Sequence, residues 1–267
     1  MRIDRLRRII EISKKHREDT NSMARRFCSF AEIDQDNDVL NIMQIVRSSF
    51  LKKGYWVFEM PFADDEIGAL CYKGDGLGYV VINTSLPKVN ANFAIAHEVF
   101  HVFFQNNTSL YNVEFADDHY YEHEEEYEAN LFAGVLLMPE FSFRKMFAKF
   151  YADSDKNVQN TIIMLMAYYE VPYMSALIRC IELDLLSKDI DLARLLDVDR
   201  EKARDILNEL WLDECILDAT NKDDYPHVEA IVRRFGKQYI EKNYLSEKEL
   251  EDVISNIKIL HSKLKGE

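Results

Sequence analysis

The nine residues Ala96–Phe104, AHEVFHVFF, set two histidines and a glutamate inside a segment that is otherwise apolar. Packing alone asks for leucines at such positions. Burying a neutral polar side chain without a partner costs roughly 2–7 kcal/mol, and a charge costs more. The flanking sequence, from about Asn90 to Gln105, is apolar on nearly every side, the pattern of a central buried helix rather than a surface one. On a helix His97 and His101 lie four apart and project from one face about one turn apart, so both imidazoles reach a single ion. Glu98 follows the first histidine, on the side where it serves as a base rather than as a ligand.

His-Glu-x-x-His is the arrangement found in zinc peptidases, and in a buried helix unliganded histidines would be costly. Catalytic zinc takes three protein ligands and leaves a fourth position to water. One route to the third ligand needs Gly at position 104 and His at 107, but the chain has Phe104 and Asn107. The other route is a glutamate on a following helix, and EHEEEYEANLFAGVLLMP (122–139) offers several. Glu124 and Glu125 begin that helix, where acids suit the macrodipole alone. Glu128 shares a face with Leu131 and Val135. Glu126 is followed at helical spacing by Asn130, Ala133 and Leu137, a face with small residues that lets this helix approach the first closely, so the choice falls on Glu126. Asn130 is then placed to orient a histidine or the carboxylate by hydrogen bonding. The expected site is one zinc ion per chain on His97, His101 and Glu126, with Glu98 as general base. Candidate oxyanion donors are His119, Tyr120, Tyr121 and His123 in the polar stretch DHYYEH.

The 267 residues, 48% hydrophobic and 12% aromatic, suffice for one large domain or two small ones. The longest apolar run, Leu131–Met138, falls far short of the roughly 20 residues of a membrane span. The charged start, MRIDRLRRIIEISKKHRED, lacks the features of a secretory signal, so a cytoplasmic location is expected and no membrane partner. Cys28, Cys71, Cys180 and Cys215 are scattered without a Cys-x-x-Cys pair and read as buried thiols. A net charge of −14 argues against direct nucleic-acid binding. That charge is unevenly spread. Residues 1–26 hold nine Lys/Arg against four acids, whereas Val89–Phe143 holds ten acids and no Lys or Arg. The acidic block is either a solvated surface or a field that attracts a cation or a basic substrate segment.

The sequence divides into a basic amphipathic arm (1–36), whose helix is expected to end near residues 20–22, a peptidase core (37–152) and a helical C-terminal region (153–267). In the core, a helix from Asp38 to Lys53 precedes short strands at 55–62, 68–72 and 79–83, expected as a small antiparallel sheet. The last of these, YVVIN, is a candidate to pair with an extended peptide by strand addition. Residues 161–186 and 190–212 each read as helix, turn, helix, and Ser246-x-x-Glu249 is a capping box opening the final helix. The fold class is α+β: a zincin-like core with a buried active-site helix, followed by helices.

The runs VVINTSLP, NFAIAHEVFH and EYEANLFAGVLLMP, in this order, resemble the ImmA/IrrE family of metallo-endopeptidases, with likeness over roughly residues 37–187. The resemblance implies a mixed α/β gluzincin-like core, His97, His101 and Glu126 as zinc ligands, and Glu98 as catalyst. It also implies limited cleavage of a regulatory protein: family members include anti-repressors of phages or integrative elements that cut helix-turn-helix repressors, and regulators of stress responses. Phe100 stands where the family motif usually carries Gly, narrowing the space beside the metal, and Asn92-Phe93-Ala94 replaces an Arg-Phe-Thr-like run.

Two other functions compete. A helix-turn-helix transcription regulator would use the paired helices, but residues 189–209 carry seven acids and four bases where phosphate contacts are needed. A non-catalytic, metal-dependent interaction protein has no need of Glu98. Oligomeric state is not encoded in any motif.

Overall fold

The computed structural model describes residues 3–34, 38–74, 77–105, 111–114 and 124–267. Helix α1 (Ile3–Ala31) and α2 (Ile42–Lys52) lead into strands β1 (Tyr55–Met60), β2 (Ile67–Gly74) and β3 (Leu77–Asn83). Helix α3 (Lys88–Phe104), strand β4 (Tyr111–Glu114) and helix α4 (Glu124–Leu137) follow. The remaining described elements are helical: α5 (Glu140–Asp153), α6 (Val158–Tyr169), α7 (Tyr173–Glu182), α8 (Leu192–Leu196), α9 (Arg200–Glu209), a 3-10 turn (Glu214–Leu217), α10 (Tyr225–Glu241) and α11 (Glu247–Leu264). The α+β class with a helical C-terminal region is therefore the observed one.

The sheet has the order β1-β3-β2-β4 and is mixed, not antiparallel throughout, because β1 pairs with β3 in parallel. The alternation of apolar residues fixes which face of a strand is buried, but not which strand is its neighbour. Here the 61–66 loop carries the chain past the place that β3 later fills. Asn83, fully buried at the end of β3, ties that loop down: Oδ1 accepts from the Phe62 and Ser85 amides (3.1 and 2.9 Å), and Nδ2 donates to the Asp64 and Ile67 carbonyls (3.0 and 2.8 Å). Because β3 is bonded to β1 on one side and β2 on the other, it has no edge for a peptide. That corrects the expectation of strand addition at YVVIN. Among the described residues the last strand of the sheet is β4, which pairs antiparallel with β2.

α1 runs to Ala31, past the expected end near residue 22, because its buried stripe continues from Leu6, Ile10 and Ser13 through Thr20 to Ala24, Phe27 and Cys28. It stops where Glu32 turns left-handed (φ 60°) and the Ile33 amide closes on the Cys28 carbonyl at 3.0 Å. Its basic side lies on the acidic segment: His16 Nδ1 is 2.9 Å from Glu128, and Arg17 is 2.7 Å from Glu140. Two segments of opposite charge bias thus pack side by side.

α3 is the central helix, buried at every position from Ala91 to Val102. It packs on the sheet, on α2 and on α4, and one apolar core joins residues from Ala24 to Leu217. Cys28, Cys71 and Cys180 are buried as expected, but Cys215 is exposed, since its 3-10 turn buries only Ile216 and Leu217. The capping box at Ser246 and Glu249 is formed. Among the described residues, no single helix is long and apolar enough to cross a membrane. α6 and α7 reach that apolar length only together, and they are bent by 111°.

Candidate metal centre

His97 and His101 project from the middle of α3 with their ring centroids 4.8 Å apart. Their Nε2 atoms converge to 2.8 Å. The outer nitrogens decide what lies between them. His97 Nδ1 is 3.0 Å from Asn130 Oδ1, and His101 Nδ1 is 2.7 Å from Gln105 Oε1. An amide oxygen only accepts, so each Nδ1 carries the hydrogen and each Nε2 presents a lone pair. Two such lone pairs 2.8 Å apart repel unless a metal ion lies against both or, without a metal, His97 Nε2 takes a proton and donates it to Glu126.

Glu126, in the first turn of α4, brings its carboxylate to this point, 3.2 Å from His97 Nε2 and 3.7 Å from His101 Nε2. The three ligating atoms lie within 4.8 Å of one another, and the group could hold a metal ion. Tetrahedral ligands about 2.0–2.1 Å from zinc stand roughly 3.3 Å apart, close to these separations. α4 packs on α3 with Phe132 against Phe100 and Phe104, and its small residues Ala129 and Ala133 are fully buried. Charge balance favours a cation too. Burial opposes protonation of His97, yet the hydrogen bond and charge of Glu126 outweigh it and raise the His97 pKa. Burial, then the charge of His97, lower that of His101 to about 4.

Glu98 is entirely buried, and among the described residues its carboxylate oxygens have no hydrogen-bond partner beyond a weak contact with the Cys71 thiol. Burial raises its pKa to about 7, with the His97 charge acting in the other direction. The Cys71 thiol on β2 lies close enough to interact electrostatically with Glu98, and burial and that carboxylate both push the thiol pKa up. The carboxylate is therefore poised near neutrality, as general bases are.

The structure thus brings together His97, His101, Glu126, Glu98 and Asn130, with Asn130 serving His97. Two other glutamates of the cluster do more than begin a helix. Glu128 pairs with His16, and Glu125 accepts from Gln105 Nε2 at 3.0 Å. Phe100 packs in the core, its ring 5.7 Å from that of His101 in a T-shaped contact, 6.1 Å from Phe132 and 6.3 Å from Phe104. His119, Tyr120, Tyr121 and His123 lie outside the described residues.

Two neighbours of the site were not anticipated. Gln105 was legible, since it continues the spacing 97, 101, 105 along one face of the segment. Its backbone carbonyl also accepts from Lys73 Nζ at 2.9 Å. Cys71 was not legible, because it arrives from the sheet, and a lone cysteine in GALCY carries no local signal.

A search of curated proteins finds no match to the chain. A family model does match, that of the IrrE N-terminal-like domain, over residues 51–180, which include α3, α4 and all of the convergent side chains. Residues 51–180, just under half of the chain, belong to the ImmA/IrrE family of metallopeptidases.

Proposed function

We propose that the chain is a zinc-dependent endopeptidase making limited cuts in a regulatory protein, and that its substrate is a basic, DNA-binding helix-turn-helix repressor. The observation that carries the peptidase reading is the convergence of two Nε2 atoms and a carboxylate, with a buried Glu98 alongside whose oxygens have no strong hydrogen-bond partner among the described residues. A structural metal site has no use for such a glutamate.

His97, His101 and Glu126 would hold the zinc ion. When bound there, zinc supplies Lewis acidity toward the scissile carbonyl and lowers the pKa of water to about 7. Glu98 takes a proton from the attacking water onto a carboxylate oxygen. The water oxygen bonds to the peptide carbon, the C–N bond breaks, and Glu98 returns the proton to the leaving nitrogen. Asn130 and Gln105 hold both imidazoles in the tautomer that offers Nε2. Among the described residues strand β4 is the sheet's last strand, and its Tyr111 pairs with Cys71, the residue that couples to Glu98. An extended substrate is expected to add to that edge.

The acidic segment from Val89 to Phe143 supports a basic substrate, and a DNA-binding substrate places the reaction in the cytoplasm. The transcription-regulator reading is disfavoured by its own helices. Arg204 is paired with Glu214 and Asp218, and Lys202 with Asp197, so these bases are neutralised locally. Co-expression with a neighbouring repressor, for wild type and Glu98→Ala, tests the proposal together with zinc content. Zinc retained with repressor cleavage lost supports it. Equal repressor loss in both proteins favours the non-catalytic interaction reading.

A further inference from the structure

A cavity of about 370 Å³ lies between α1, α3, α4 and α7, with Asn130, the partner of His97, in its wall. That is within the size range of small-molecule sites, roughly 300–1,000 Å³. Its walls are mainly apolar, with Ile9 and Ile12 from α1, Phe93 from α3, Leu131 from α4 and Ile178 from α7. Three charged side chains line it, Arg5, Arg179 and Glu182, the last two ion-paired at 3.0 Å.

Arg179 is 3% exposed. Its Nε donates to the Met138 carbonyl at 3.1 Å and its Nη1 to Glu182 at 3.0 Å. Nη2 has no partner among the described residues. A buried guanidinium with an open amino group beside an apolar cavity matches a carboxylate carried on an apolar body.

Gly134 is an independent sign that the space is kept open. It lies within α4, where glycine is disfavoured relative to alanine. No left-handed backbone requires it, and a Cβ there would meet only Met138 Cε, at 3.9 Å. A larger side chain would enter the cavity instead. Asn130 lines the same cavity while accepting from His97, so an occupant touches the group that orients the first histidine.

We propose that this cavity binds a small monoanionic carboxylic acid with an apolar body, its carboxylate at Arg179, and that occupancy is transmitted to His97 through Asn130. The second clause rests on the zinc reading, whereas the binding clause does not.

Calorimetric titration of the full-length chain with sodium octanoate, with and without zinc, tests the binding clause. Octanoate is expected to bind at least about tenfold more tightly than octanol, the same body without the charge. Gly134→Leu, which fills the cavity from a helix position, is expected to weaken octanoate about tenfold or more while preserving helicity and zinc content. No octanoate binding, equal binding of octanol, or undiminished binding by Gly134→Leu overturns the proposal. For the second clause, zinc release to a chelator is followed with and without octanoate. A change of about threefold or more in wild type, absent in Gly134→Leu, supports coupling, and an unchanged rate at saturating octanoate overturns it. A chain that holds no zinc yet binds octanoate defeats the peptidase reading and leaves the cavity assignment standing.

Discussion

Asn83 at the end of β3 and Glu98 in the middle of α3 are both completely buried polar side chains, and their surroundings are opposite. Each polar atom of the Asn83 amide is used, two bonds in and two bonds out. Among the described residues, Glu98 has no more than the weak Cys71 thiol against its oxygens. The first arrangement stabilises a chain crossing. The second costs stability, and a fold retains such a cost only where the group has another use. The contrast separates residues that build the domain from residues that act in it.

The largest effect is expected at Glu98. Glu98→Gln keeps the shape and removes the base, so cleavage should fall by about a thousandfold or more, measured on zinc-loaded protein. The same variant should be more stable without metal. The folded pKa of about 7 stands above the ordinary 4.5, so between these values the folded state holds a proton that the unfolded state has lost. Stability of the wild type therefore falls as pH rises through that window, and the full penalty is present above about pH 7. Denaturant unfolding of the metal-free proteins should show Glu98→Gln stabilised by about 3 kcal/mol near pH 8 and by nothing below about pH 4.5. A metal-free variant less stable than wild type near pH 8 would remove the contrast with Asn83.

Asn83→Ala is expected to behave inversely. It leaves the buried Phe62 amide, the part-buried Ser85 amide and the Asp64 and Ile67 carbonyls without their side-chain partner, and should cost about 2 kcal/mol of unfolding free energy. Cleavage per folded molecule should be unchanged. An activity loss exceeding the loss of folded protein would give Asn83 a part in the chemistry.

Between these extremes lie Asn130 and Gln105, whose oxygens are each engaged by one imidazole. Replacing either by Ala frees the Nδ1 tautomer and ring orientation. Zinc affinity is expected to weaken about 10–100-fold in competition with a chelator, with little change in unfolding free energy. Gln105→Ala should also loosen the junction of α3 and α4, since Nε2 reaches Glu125.

The same contrast explains what could be read before any coordinates. His97, Glu98, His101 and Asn130 obey helical spacing, and the choice of Glu126 needed only the small residues that follow it. Local periodicity therefore brought the site within reach. Gln105 obeyed the same spacing and was overlooked because it lies at the polar end of the segment. The partners of Asn83, the parallel pairing of β1 and β3, and Cys71 beside Glu98 depend on how distant segments meet, which no periodicity encodes. The length of α1 was underestimated for a related reason. Thr20 and Asn21 resemble a stop, but Thr20 is buried in a stripe that Ala24 and Phe27 continue.

The contact between the basic helix and the acidic segment supplies the smallest effect and a third kind of polar group, partnered but wet. Arg17 and Glu140 meet at 2.7 Å with 39% and 40% of their side-chain surfaces exposed. Water screens both charges, so the pair adds little to what burial of Leu6, Ile10 and Phe27 already gives. Arg17→Ala is expected to cost about 0.5 kcal/mol or less, and the cost should vanish in high salt. Glu140 also keeps Arg144 at 2.9 Å, so its carboxylate is not orphaned by the change. A loss of several kcal/mol would mean that α1 is held by charge rather than by its apolar stripe, and the opposite charge bias of the two segments would then decide where the helix docks.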